Sequence, residues 1–99
     1  MLHTIPDVSG PGTFNLADLA KDNGFNAPYV ARAIQVVALG SGTVRIGESE
    51  NVSATRGLPA GAAFGSQFLP YVGENCLWNL GGMAVYVPAG ATACIAWEY

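Results

Sequence analysis

The chain runs "MAVYVPAGATACIAWEY" over residues 83–99, seventeen residues with Glu98 as the one charged side chain. Water is a poor neighbour for such a stretch, so it is either core or is covered by something else. From Ala91 to Tyr99 the odd positions are Ala91, Ala93, Ile95, Trp97 and Tyr99, and the even ones are Thr92, Cys94, Ala96 and Glu98. This period of two predicts a strand whose odd face enters a core. The even face is small and nearly uncharged, which suits a second packed layer or a neighbouring subunit.

Upstream, the same signals recur at short intervals. "YVARAIQVVAL" (29–39) is β-branched and apolar on both parities, which predicts a strand covered on both faces. "TVRIGES" (43–49) alternates after a "GSG" turn, and "NVSAT" (51–55) reads as a short return strand. "AFGSQFLPYV" (63–72) carries Pro70, which places it at an edge or an end. "CLWNL" (76–80) precedes a "GG" turn and the strand 83–87. "LPAGAAF" (58–64) and "VPAGATA" (87–93) echo each other and predict two similarly built hairpin corners. About seven short strands with Gly/Pro turns predict an all-β domain, a jelly-roll-like β-sandwich or a small β-barrel.

Ahead of the strands, "FNLADLAKDNGF" predicts one short helix over 15–23. Asn15 is the N-cap, Asp18 favours the dipole, and Phe14 with Leu19 forms a hydrophobic staple. Gly24 is placed to end the helix, with Phe25 folding back behind it. Residues 1–13 show no periodicity and hold Pro6, Gly10, Pro11 and Gly12, which predicts an extended arm outside a domain of 14–99.

Composition narrows the functional classes. The 99 residues make one domain, and 11% are charged where about a quarter is ordinary. A small domain has much surface for its volume, so this deficit implies that part of its surface meets protein. Four scattered cations and a net charge of −3 leave no basic stripe for nucleic acid. No apolar run approaches the roughly 20 residues of a membrane span. "MLHTIPDVSGPG" has neither a basic nor an apolar leader region, so no signal peptide is predicted, and Cys76 and Cys94 are expected to stay reduced.

Catalysis is poorly supplied. His3 is the single histidine, which leaves a metal site or a Ser-His-Asp triad without members. Glu48 and Glu50 form the nearest carboxylate pair but stand at a polar corner beside Asn51. The expectation is a non-enzyme with no cofactor, no metal and no small-molecule substrate. Trp78, Trp97, Tyr29, Tyr71, Tyr86 and Tyr99 invite a carbohydrate-binding reading, although Trp97 falls on the core parity of its strand. The "NVS" sequon at 51–53 is incidental without a secretion signal.

At "TVRIGESENVSATRGLPAG" (43–61) and "NLGGMAVYVPAGATACIAW" (79–97) the chain resembles small head proteins of tailed bacteriophages, more narrowly the decoration or cement proteins of the capsid. The resemblance implies a β-rich, commonly trimeric protein. It would sit outside the head lattice, clamp neighbouring major capsid protein subunits, and have no catalytic residues. It would be made in the host bacterial cytoplasm and end in the virion. On this reading the arm supplies capsid contacts through His3, Ile5, Pro6 and Val8. The oligomer interface forms around Cys94 and Ala96, or around Ala31 and Ala33 in the doubly apolar strand. A head-to-tail or tail component and a carbohydrate-binding module are the alternatives.

Overall fold

In β10 (Ala91–Glu98), Ala91, Ala93, Ile95 and Trp97 are buried, Thr92, Cys94 and Ala96 are half-buried and Glu98 is exposed. The odd face is core, as the period of two requires. β10 is also an interior strand, paired antiparallel along its length with β4 (Ala33–Gly40) and on its other side with β1 (Leu2–Ser9). These bounds come from a computed structural model that describes residues 2–60, 66–70 and 78–98, the stretch 66–70 as backbone.

The remaining strands are β2 (Gly12–Asn15), β3 (Val30–Ala31), β5 (Val44–Glu48), β6 (Leu58–Ala60), β7 (Ser66–Pro70), β8 (Trp78–Asn79) and β9 (Met83–Val87). One helix, α1 (Leu16–Asp22), follows β2, and single 3-10 turns occupy Ser49–Asn51 and Leu80–Gly82. Two four-stranded antiparallel sheets form, sheet A in the order β1-β10-β4-β7 and sheet B in the order β2-β9-β5-β6. β3 and β8 make a separate two-stranded ribbon. With the ribbon set aside, sheet A joins the first, eighth, third and sixth strands of the chain and sheet B the second, seventh, fourth and fifth. That is the strand order of a jelly roll.

Both sheets feed one core. Ile5, Val8, Ile34, Val36 and Ile95 from sheet A meet Val44, Ile46, Met83, Val85 and Val87 from sheet B, with Leu16, Ala20 and Leu80 closing an end. Each such aliphatic side chain contributes about 1.5–3 kcal/mol when fully buried. Among the described residues the buried set holds no polar or charged side chain.

The helix keeps the punctuation its sequence predicts. Asn15 Oδ1 accepts from the Ala17 and Asp18 amides at 3.0 and 3.2 Å. At the other end the Gly24 amide donates to the Lys21 carbonyl and the Phe25 amide to the Ala20 carbonyl, both Schellman bonds, with Gly24 at φ +85°. Phe25 then folds back against the core.

Several expectations need correction. The predicted arm 1–13 is not one over its described residues 2–13: β1 pairs with β10 and β2 with β9, so these residues belong to the domain's two sheets. Ile5 and Val8 are three apart and so of opposite parity, which hid the strand. The ladder shifts register between them, at Pro6 and Asp7, and this bulge turns both side chains inward. Pro6 is tolerated because β1 is an edge strand.

The stretch 29–39 is two strands broken at Arg32, and β4 buries one face only, with Ile34, Val36 and Ala38 inward. No return strand forms at 51–55. That segment folds over sheet B instead: Val52 is buried, and a Cβ on Gly47 would lie 3.2 Å from Val52 Cγ2. The Arg45 guanidinium ties its far end by donating to the Gly57 carbonyl at 3.1 Å. The two Pro-Ala-Gly echoes also part company. At Pro88 the chain turns from sheet B into sheet A, closed by the Ala91 amide donating to the Pro88 carbonyl at 3.2 Å. Leu58–Ala60 is instead β6, paired with β5 at the edge of sheet B where a proline is tolerated, and the rest of that echo, 61–64, lies outside the described residues. Of 63–72 only β7 is described, and it lies at the edge of sheet A that Pro70 predicted. Cys76 lies outside the described residues.

Candidate interaction surface

The outward face of sheet A follows from register. Residues opposite each other in an antiparallel pair share a face, with Cβ atoms roughly 4.5–5.5 Å apart. Thr4 and Gln35 flank Ala96, Leu2 and Ala33 flank Glu98, Ser9 and Leu39 flank Thr92, and Val37 stands beside Cys94. Glu98 is the one charged side chain in this set. Leu2 is 66% exposed and Leu39 55%, two of the three large apolar side chains left open among the described residues. The face is apolar at its margins, small at its centre and almost free of charge.

Of the predicted interface residues, Ala33, Cys94 and Ala96 come together here, each half-buried. Ala31 does not. It is wholly buried in β3, facing the core, and has no surface to offer a partner.

The predicted contact set His3, Ile5, Pro6 and Val8 is dispersed by the bulge. Ile5 and Val8 are core, at 3% and 5% exposure, and cannot touch another molecule. Pro6 is exposed on the edge. His3 is half-buried, its ring 5.4 Å from that of Trp97 and 5.1 Å, edge-on, from that of Phe25. Phe25 and Trp97 complete the triangle at 5.0 Å. Such pairs are worth about 0.5–1.5 kcal/mol beyond their burial, so His3 has a packing role. Beside this triangle Pro28 and Tyr29 border a cleft of about 290 Å³, with the Tyr29 hydroxyl donating to the Phe25 carbonyl at 3.1 Å.

A larger cleft, of about 620 Å³, opens where the turn Ser49–Asn51 faces the segment from Trp78 to Met83. Glu48, Glu50, Asn51, Trp78 and Asn79 line it. Asn15 holds the two sides together: its Nδ2 donates to the Gly81 carbonyl at 2.8 Å and to Ser49 Oγ at 3.4 Å. With Oδ1 capping the helix, every donor and acceptor of that amide is used. The sequence marks the acidic corner and Trp78 separately. Their meeting depends on β5 and β9 pairing, Glu48 opposite Met83, a contact no local pattern encodes.

Among the described residues no three His, Cys, Asp or Glu side chains converge as a metal-binding group. No helix there is long and apolar enough to cross a membrane. No protein-family model, curated protein or solved structure matches the chain.

Proposed function

We propose that this protein is a structural component of a tailed-phage virion, a decoration protein that binds the outside of the head as a homotrimer and clamps neighbouring major capsid protein subunits. The observation that carries the reading is the outward face of sheet A over β1, β10 and β4, eleven side chains in register with Glu98 as the one charge. Obligate interfaces have this composition, poor in charge and apolar in the centre. The 11% charged content of the whole chain and the resemblance at 43–61 and 79–97 point the same way. A jelly-roll strand order is also one that capsid domains use. The work is mechanical: modest contacts multiplied over the subunits of an oligomer hold the shell against internal pressure.

Two measurements test it in sequence. Sedimentation at micromolar concentration is expected to give three times the 10.2 kDa chain mass. The trimer is then expected to bind expanded phage heads that lack their own decoration protein and to raise their disruption temperature. A monomer rules the trimer out, and a six-fold or twelve-fold ring replaces the head seat with a neck or tail position.

A further inference from the structure

We propose that the cleft between the Ser49–Asn51 turn and the Trp78–Met83 segment binds a neutral oligosaccharide. It shares no residue with the outward face of sheet A, so a trimer built on that face leaves it open.

The ligand class follows from what lines the cleft. Its volume of about 620 Å³ lies within the ordinary range for small-ligand sites. One wall is the half-buried indole of Trp78, a flat surface on which the C–H face of a pyranose stacks. Around it stand the Glu48 and Glu50 carboxylates, which accept hydrogen bonds, and the Asn51 and Asn79 amides, which donate and accept. Vicinal sugar hydroxyls need that mixture, because each is donor and acceptor at once.

Other ligand classes fit less well. Among the described residues both charged side chains lining the cleft are carboxylates, which repel phosphate, sulfate and uronic acid groups. A quaternary ammonium is recognised by a cage of several rings. Among the described residues a single ring borders the cleft.

The floor is already organised. Asn15 clamps Gly81 and Ser49, and Asn79 Oδ1 accepts from the Gly81 amide at 3.0 Å. A ligand therefore orders little chain on binding, and the cost of association falls. What is proposed is binding, with the exposed Glu48 and Glu50 as hydrogen-bond acceptors.

The test titrates the full-length protein with cellobiose, lactose and N,N′-diacetylchitobiose, each to about 20 mM, reading the two indole N–H signals by NMR. Choline and glucose 6-phosphate are the comparison ligands. At least one neutral disaccharide is expected to move the Trp78 signal with a Kd on the order of 1 mM, as one stacking wall and a few hydrogen bonds allow. Trp97, 6% exposed, is expected to stay still. Read from the backbone amide signals of Glu50, Asn51 and Asn79, Trp78→Ala is expected to weaken binding at least about tenfold; Glu50→Gln and Asn51→Ala, read from the Trp78 indole, about threefold each. The last two sites are exposed and keep the fold if Trp78→Ala does not. The proposal is overturned if none of the three disaccharides moves the Trp78 signal. It is equally overturned if choline or glucose 6-phosphate binds in their place, or if both exposed-site variants bind as tightly as the parent. None of these outcomes bears on the trimer.

Discussion

The side-chain amide of Asn15 donates to the main-chain carbonyl of Gly81 at 2.8 Å, across 66 positions of sequence. One residue thereby caps the helix, pins the β8–β9 connection and, through Ser49 Oγ, holds the turn after β5. Asn15→Ala is expected to lower stability by about 2–3 kcal/mol, a lost cap plus a carbonyl left short of its donor. Asn15→Asp keeps the cap and loses the two donations, so about half that loss is expected. Urea denaturation of the three proteins checks this, and an alanine variant as stable as the parent would show the bridge to be idle.

Gly40 tests the crossing between sheets. It sits at φ +90° opposite Ala91, and a Cβ there would run into the Gly90 carbonyl oxygen, which is backbone and cannot swing away. Gly24 has a similar φ of +85° with open space around it. Gly40→Ala is therefore expected to cost at least about 3 kcal/mol, and Gly24→Ala about 1 kcal/mol, the left-handed penalty alone. In a domain of this size 1 kcal/mol moves the thermal midpoint by about 4–8 °C, so calorimetry separates the two. Equal midpoints would mean that the corner relaxes.

What the sequence made legible was what short-range physics encodes. The helix caps lie within a few residues of each other, and the faces of β10 alternate without interruption, so Asn15, Gly24 and the odd positions from Ala91 to Trp97 could be assigned directly. β1 was missed because a bulge sets the inward side chains three apart, and Pro6 looks like a breaker until its edge position is known. Leu58–Ala60 was missed for the converse reason: Pro59 and Ala60 open a local turn signal, and over Leu58–Ala60 pairing with β5 prevails. On the surface, Ala33, Cys94 and Ala96 were found by parity. Ala31 was not excluded, because the break at Arg32, whose amide donates to the Glu98 carbonyl, moves it out of register with Ala33.

Removing the first strand tests the corrected boundary. A chain beginning at Thr13 lacks Ile5 and Val8 from the core and leaves β10 with an unpaired edge. Two aliphatic side chains at about 1.5–3 kcal/mol each take up a large share of a total stability near 5–15 kcal/mol, before the ladder is counted. Loss of cooperative thermal unfolding, followed by near-ultraviolet circular dichroism, is the expected result. A truncated chain that melted like the parent would restore residues 1–12 to the status of an arm.

Ala96 is the place to challenge the proposed interface. It is half-buried on the outward face of sheet A, between Thr4 and Gln35 on the neighbouring strands and between Cys94 and Glu98 along its own. In an isolated subunit a lysine at this position lies along the sheet and reaches water with its ammonium, so Ala96→Lys is expected to leave the fold intact. In an assembled trimer the added bulk and the ammonium are held away from water, a cost that Glu98, two positions along the strand, offsets only in part and that symmetry repeats at every subunit contact. Sedimentation is therefore expected to show the parent as a trimer and Ala96→Lys as a single 10.2 kDa chain with an unchanged circular dichroism spectrum. Thr55→Lys, on the exposed loop over sheet B, is expected to remain a trimer, which separates a local effect from one of net charge. The parent's thermal midpoint should rise with concentration and that of Ala96→Lys should not, since association stabilises only the species that associates. If Ala96→Lys stays trimeric, the subunits meet elsewhere, and the uncharged face of sheet A is left for the capsid.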